Sequence, residues 1–268
     1  MPNALNAHSI VSHRFLVLGD TGSGKTTQFL TLPGKKFAYL FDSNALLSLR
    51  GYDVDYEEFL PDRLSLTASS LKKENKGSAT FVKGSDLYVE WEKDFNQRLE
   101  SDFFDDYDWI AMDSATTFLD LIMDRVLTIN GRFGQWPSQD DYGPQMTAFI
   151  NVCRSLTAMG KGIYMTGHLD VKQDATTQKI QRRPMMTGRL TAKVPLLFSD
   201  VLVCEAEPDP KSSSVNYRVQ TVPDRMTPNV RTSIKGLEPF EDVTVDWSHD
   251  PVGQGLGGIL NWELKQGA

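Results

Sequence analysis

The chain has 268 residues, 40% hydrophobic and 24% charged, with a formal net charge of −7. That length supports one large domain with a substantial core, and the composition excludes a chain disordered throughout. No apolar run reaches the roughly 20 residues that cross a bilayer, and the negative balance excludes a surface coated with phosphate-binding cations, though not a local basic loop.

In chain order, residues 1–12 read as an N-terminal segment with neither the basic cap nor the apolar core of a secretion signal. His-Arg-Phe-Leu-Val-Leu at 13–18 is a short apolar run closing on glycine, as a buried central strand does. Lys25 to Leu32 predicts a helix stopped by Pro33-Gly34, and Lys35 to Asp42 a second apolar strand ending in a carboxylate. Ser69 to Ser78 is polar and Lys-rich, hence a loop. Asp86 to Phe104 predicts an amphipathic helix with Leu87, Trp91, Phe95 and Leu99 on its apolar face. Tyr107 to Asp113 is the third apolar strand. Helices are expected at 115–129 and 143–159 around an aromatic loop from Asn130 to Pro144, then a fourth strand at Gly162 to Thr166. Residues 200–206 and 215–222 alternate as a late antiparallel hairpin. Strands alternating with helices imply an α/β domain, with a mainly parallel central sheet flanked by helices. It is assigned to residues 13–235, followed by a tail, 236–268, packed on the domain or mobile. Cys153 and Cys204 both lie in apolar patterns and read as buried free thiols of a reducing compartment; four scattered histidines show no zinc spacing.

The most specific local signal is Gly19-Asp-Thr-Gly-Ser-Gly-Lys-Thr26, which satisfies GxxxxGK[ST] between a strand and a helix. Glycines let the backbone bend until successive N–H groups face one anion, and the start of the helix adds its positive end. The loop residues Gly19, Thr21, Gly22, Ser23, Gly24, Lys25, Thr26 and Thr27 are therefore expected to hold the phosphates of a nucleotide, ATP in first place. Lys25 supplies a mobile positive charge and the Thr26 hydroxyl a ligand for Mg²⁺. The partner carboxylate is Asp113 at the end of Trp109-Ile-Ala-Met-Asp113, with Asp42 the competitor. Ser114 follows Asp113, where AAA+ proteins usually carry a Glu, and this points away from AAA+ and towards the RecA-like branch.

With these features the chain resembles the RecA-like P-loop ATPases encoded by phages, related to the single-strand-annealing recombination ATPases. The resemblance rests on the phosphate loop, Asp113 followed by Ser114, Gln139-Asp-Asp-Tyr-Gly143 before a helix, Met165-Thr-Gly-His168, and Gly188 to Asp200 before the hairpin. It implies a RecA-like P-loop NTPase fold and a γ-phosphate-sensing role for His168. From Ala175 to Ser199 there are basic residues (Lys179, Arg182, Arg183, Arg189, Lys193) and no acidic ones, so this stretch is the candidate nucleic-acid loop. Phe133 and Trp136 in the other loop are candidates to stack on bases. Arg225 and Arg231 are candidate fingers reaching a neighbouring subunit. Where the group carries a catalytic Glu, this chain reads Phe41-Asp42-Ser43-Asn44; Asp42, or Glu57 and Glu58, are the substitutes. The resemblance thus implies an ATPase acting on single-stranded DNA in phage recombination or replication, as a homo-oligomer in the host cytoplasm, with no membrane association. A nucleotide-dependent switch with little hydrolysis, and a P-loop kinase of small molecules or nucleotides, are the competing readings.

Overall fold

The computed structural model describes residues 13–60, 86–173, 178–210 and 214–266, with side chains as far as residue 261. The segment 1–12 and the expected loop Ser69 to Ser78 lie outside the described residues. An eight-stranded sheet runs in the order β10-β9-β8-β1-β5-β4-β2-β3. Its parallel part comprises β1 (Arg14–Gly19), β2 (Lys36–Leu40), β3 (Asp55–Glu58), β4 (Trp109–Asp113), β5 (Gly162–Gly167) and β8 (Asp200–Pro208). The expected hairpin joins β8 antiparallel to β9 (Val215–Gln220), which in turn pairs with β10 (Phe240–Asp242).

Alternation along the buried strands decides which helix each residue meets. One face, with Leu16, Tyr39, Ile110, Met112, Ile163 and Val201, packs on α3 (Leu87–Glu100), α4 (Ala115–Ile129) and α5 (Tyr142–Ala158). The other, with Phe15, Ala38, Ala111, Tyr164 and Leu202, packs on α1 (Lys25–Leu30), α2 (Ala45–Leu49) and α7 (Gly255–Gln266). By parity Asp113 and Thr166 extend the second face, the one covered by the helix that follows the phosphate loop.

Two expectations are corrected. First, α3 ends at Glu100, and Leu99 is exposed while Leu87, Trp91 and Phe95 are buried. At about 100° per residue, a four-residue spacing drifts steadily around the helix, and its fourth member leaves the buried face. Second, the stretch Ala175 to Ser199 is no single loop. β6 (Leu169–Gln173) and β7 (Ile180–Pro184) form a separate antiparallel ribbon, followed by the short α6 (Leu190–Lys193). The tail, 236–268, contains the helix α7, which lies against α1. The Leu256 and Gly257 amides donate to Gln28 Oε1 and Thr31 Oγ1, both at 2.9 Å, and Gln28 Nε2 donates to the Val243 carbonyl at 2.7 Å. Both cysteines are free and buried. No described helix is long and apolar enough to cross a membrane.

Candidate functional site

The carboxyl ends of β1, β4, β5 and β2 meet along one edge of the sheet, the edge at which ligands bind in open parallel sheets. The phosphate loop leaves β1 there. Gly22 and Gly24 take φ of 78° and 86°, which L-residues with a side chain rarely adopt. Gly19 is required for contact instead: a Cβ there would stand 2.5 Å from both the Cys204 carbonyl oxygen and Ser23 Oγ. An added Cβ at Gly22 would meet nothing within 4 Å among the described residues, so the bend is open to them on that side. Ser23 Oγ is buried and has no hydrogen-bond partner among the described residues, an unmet polar group inside the loop.

Lys25 is buried, and its ammonium donates to the Gly19 carbonyl at 3.0 Å and the Asp20 carbonyl at 2.7 Å. Burial lowers its pKa, opposed by the fields of Cys204, Asp113, Asp20 and Asp42. Thr26 Oγ1 donates to Asp113 Oδ2 at 2.7 Å, which joins the loop to the end of β4 across 87 residues of sequence. Thr166, one residue before the end of the strand between them, donates to Asp113 Oδ1. Burial pushes the Asp113 carboxyl above the usual range. The hydrogen bonds from Thr166 and Thr26 pull it back only in part, and Asp42 repels its charge.

Around this centre, Thr117 Oγ1 donates to Asp42 Oδ1, and Ser114 caps α4 by accepting from the Thr117 amide at 3.4 Å. The Asp113–Ser114 peptide is cis. Tyr164, buried in β5, donates to the Lys25 carbonyl at 2.6 Å and anchors α1 from below. Tyr217 of β9 lies against the loop from the other side, with a ring carbon 3.0 Å from where a Gly24 Cβ would stand.

The residues present fit a magnesium nucleotide. A hydroxyl and a carboxylate are hard oxygen donors of the kind Mg²⁺ takes alongside phosphate oxygens. The open glycine bend and the buried ammonium supply an anion site beside them. Among the described residues there is no cluster of three His, Cys, Asp or Glu that would hold a metal by protein groups alone.

Other expected residues are dispersed. His168 enters through its backbone, its amide donating to Thr116 Oγ1 at 3.1 Å; Thr166, two residues earlier, is the group that reaches Asp113. Glu57 pairs with Arg98 of α3 at 2.7 Å, away from the loop, and Glu58 ends β3 at the sheet's edge. Lys179, Arg189 and Lys193 are exposed. Arg183 is half-buried against Gln181, and Arg182 is half-buried between Glu205 and Asp20 of the phosphate loop. Trp136 is 93% exposed, with Phe133 half-buried nearby in sequence. Their loop is held at its base by buried Asp141, which accepts from Arg132, from Asn130 Nδ2 at 2.9 Å and from the Ser138 amide at 2.6 Å. Burial would raise the Asp141 carboxyl, but Arg132, Ser138 and Asn130 hold it down to about 2. Arg225 and Arg231 are both exposed, but Arg231 is tied within its own chain, donating to the carbonyls of Pro195 (2.9 Å) and Phe198.

A search of curated proteins finds no match to the sequence. Among solved structures, a KaiC-like protein of the hyperthermophilic archaeon Pyrococcus horikoshii is similar, with 11% identity, 78% of this chain and 77% of that one covered, and a TM-score of 0.40. The flagellar accessory protein FlaH of Methanocaldococcus jannaschii is similar at 12% identity, with 87% and 85% covered and a TM-score of 0.41. A family model described as AAA domain matches residues 12–228. Because that span takes in every element from β1 to β9 and both halves of the phosphate site, the chain belongs to the AAA domain family.

Proposed function

We propose that the protein binds ATP with Mg²⁺ at this edge, hydrolyses it, and uses the cycle to engage and release single-stranded DNA. The carrying observation is the 2.7 Å hydrogen bond from Thr26 to Asp113, because it makes one centre of a phosphate loop and a remote strand-end carboxylate. Thr26 and Asp113 would hold the metal, whose charge would neutralise phosphate oxygens when bound. Lys25 would bind the phosphates, and Asp42 Oδ2, the oxygen not engaged by Thr117, would accept the proton of the attacking water. The DNA reading is supported by exposed Lys179, Arg189 and Lys193, and by Trp136, held out on a loop with a fixed base. As the resemblance implies, the unit at work is a homo-oligomer, with Arg225 the freer of the two finger candidates, and the setting is phage recombination or replication in the host cytoplasm.

The deciding experiment is phosphate release with and without single-stranded DNA, in wild type and Lys25→Ala. Release stimulated by DNA and lost in Lys25→Ala is expected, with ATP-dependent DNA binding that falls steeply with salt. DNA affinity unchanged by nucleotide and by Lys25→Ala would refute the reading. ATP binding without turnover in either condition would instead favour a nucleotide-dependent switch, for which the absence of a Glu beyond β2 speaks. A phosphorylated acceptor in place of free phosphate would favour a kinase. For that reading, a cavity of about 630 Å³, lined by Thr116, Tyr142 and Arg189 among others, is the place for an acceptor.

A further inference from the structure

Arg182 sits on β7, opposite Val171, and its amide donates to the Met226 carbonyl at 2.6 Å. Its side chain is 18% exposed and bridges two acids. Nη1 donates to Glu205 Oε1 at 2.8 Å, and Nη2 to Asp20 Oδ2 at 3.2 Å. The two acids differ. Glu205 is also served by Arg218, whose Nε and Nη2 donate to Oε2 at 3.1 and 2.9 Å. Asp20 is 74% exposed and meets no other cation among the described residues. Its bond to Arg182 is long for a charge-assisted one. Asp20 also belongs to the phosphate loop, and its carbonyl holds the Lys25 ammonium at 2.7 Å. A loop that gathers an anion therefore carries a carboxylate of its own, neutralised by one guanidinium from another element.

We infer that Arg182 is a phosphate-contacting residue supplied in cis by β7: when a triphosphate enters the loop, its guanidinium exchanges Asp20 for the terminal phosphate while Glu205 stays with Arg218. This rests on the nucleotide reading above. A phosphate repels Asp20 and attracts the planar fork of an arginine, so both halves of the exchange run in the same direction. Because the Arg182 backbone is part of the β6–β7 ladder, the exchange ties that ribbon, and Lys179 just before it, to the presence of the terminal phosphate.

The test is equilibrium titration of fluorescent ATP and ADP analogues, with Mg²⁺, into wild type, Arg182→Ala, Arg182→Lys, Asp20→Asn and Lys25→Ala. Arg182→Ala should weaken the ATP analogue about tenfold while leaving the ADP analogue within about twofold. Arg182→Lys should fall between. Asp20→Asn, a change at an exposed side chain, should tighten the ATP analogue by about threefold, because the competitor for the guanidinium is gone. Hydrogen exchange of the β6–β7 amides should slow with the ATP analogue in wild type and not in Arg182→Ala. A purely structural ion pair predicts a lower Tm with an unchanged ATP-to-ADP ratio, and no tightening in Asp20→Asn; that result overturns the inference. Lys25→Ala separates the two levels. If it abolishes binding while Arg182→Ala leaves the ratio unchanged, only the Arg182 role falls. If Lys25→Ala binds both analogues as wild type does, the nucleotide reading falls with it.

Discussion

Two buried aspartates stand at opposite ends of the central sheet, Asp113 where β4 finishes and Asp200 where β8 begins. Asp200 accepts from His13 Nδ1 at 3.0 Å, Ser199 Oγ at 2.6 Å, the Ser233 amide at 2.6 Å and Thr232 Oγ1 at 2.9 Å. Burial alone would raise its pKa, and these donors overcome it, so the carboxyl is held below its usual range. Asp113 accepts from two threonine hydroxyls and lies in the field of Asp42. There burial wins, and its pKa is raised. Two carboxylates of similar burial thus differ in how well their charge is met. The satisfied one pins His13 and the segment after Val230 to the sheet, and the unsatisfied one is suited to receive a cation.

The largest expected effect on stability is at the satisfied end. Asp200→Ala removes the acceptor shared by His13, Thr232 and Ser233, and should cost about 3 kcal/mol in urea unfolding. A cost below about 1 kcal/mol would remove the contrast between the two ends. Next comes acid sensitivity. Because the folded pKa of Asp200 is depressed, its contribution is complete above the unfolded value of about 3.9 and is lost as pH falls through the folded pKa. Acid titration followed by circular dichroism should show that loss in wild type, and Asp200→Asn should lack its share of it. The smallest effect has the opposite sign. With a raised folded pKa, Asp113 weakens the nucleotide-free protein as pH rises from about 3.9 through that pKa. Asp113→Asn should therefore stabilise it at neutral pH by about 1 kcal/mol, or 2–4 °C in Tm. The gain should fade toward pH 4, and magnesium-dependent nucleotide binding should be lost. A variant less stable than wild type at neutral pH would show that Asp113 is as well satisfied as Asp200.

The phosphate loop was legible because its residues are contiguous and its geometry is local. Asp113 was legible because an apolar strand closing on a carboxylate is visible in one segment. Thr166 was not: its role depends on which strand lies between β1 and β4, and lateral order in a sheet is not written in any single strand. Parity offers a clue, since Tyr164 and Thr166 share a face of β5. The edge strand β3, Asp55–Glu58, is polar, as edges that resist further pairing often are, and so carries no apolar pattern. Gly255 to Leu260 carries three glycines, which disfavour helix, so its pattern gives no clear helix signal, yet Leu256, Ile259 and Leu260 bury against the sheet and α1. Arg182 finds Asp20 across 162 residues, a pairing that local pattern cannot show.

Lys25, Thr26 and Asp113 meet at one edge of the sheet, and the central proposal is that they form one magnesium–nucleotide centre. Thermal unfolding of wild type, Lys25→Ala and Asp113→Ala with increasing ATP, with Mg²⁺ or with chelator, tests it most directly, because a ligand bound only by the folded state raises Tm with its concentration. Wild type should gain with ATP, more so with Mg²⁺. Lys25→Ala should gain nothing, and Asp113→Ala should lose the magnesium-dependent part. Equal gains in all three proteins would place the nucleotide elsewhere and contradict the account.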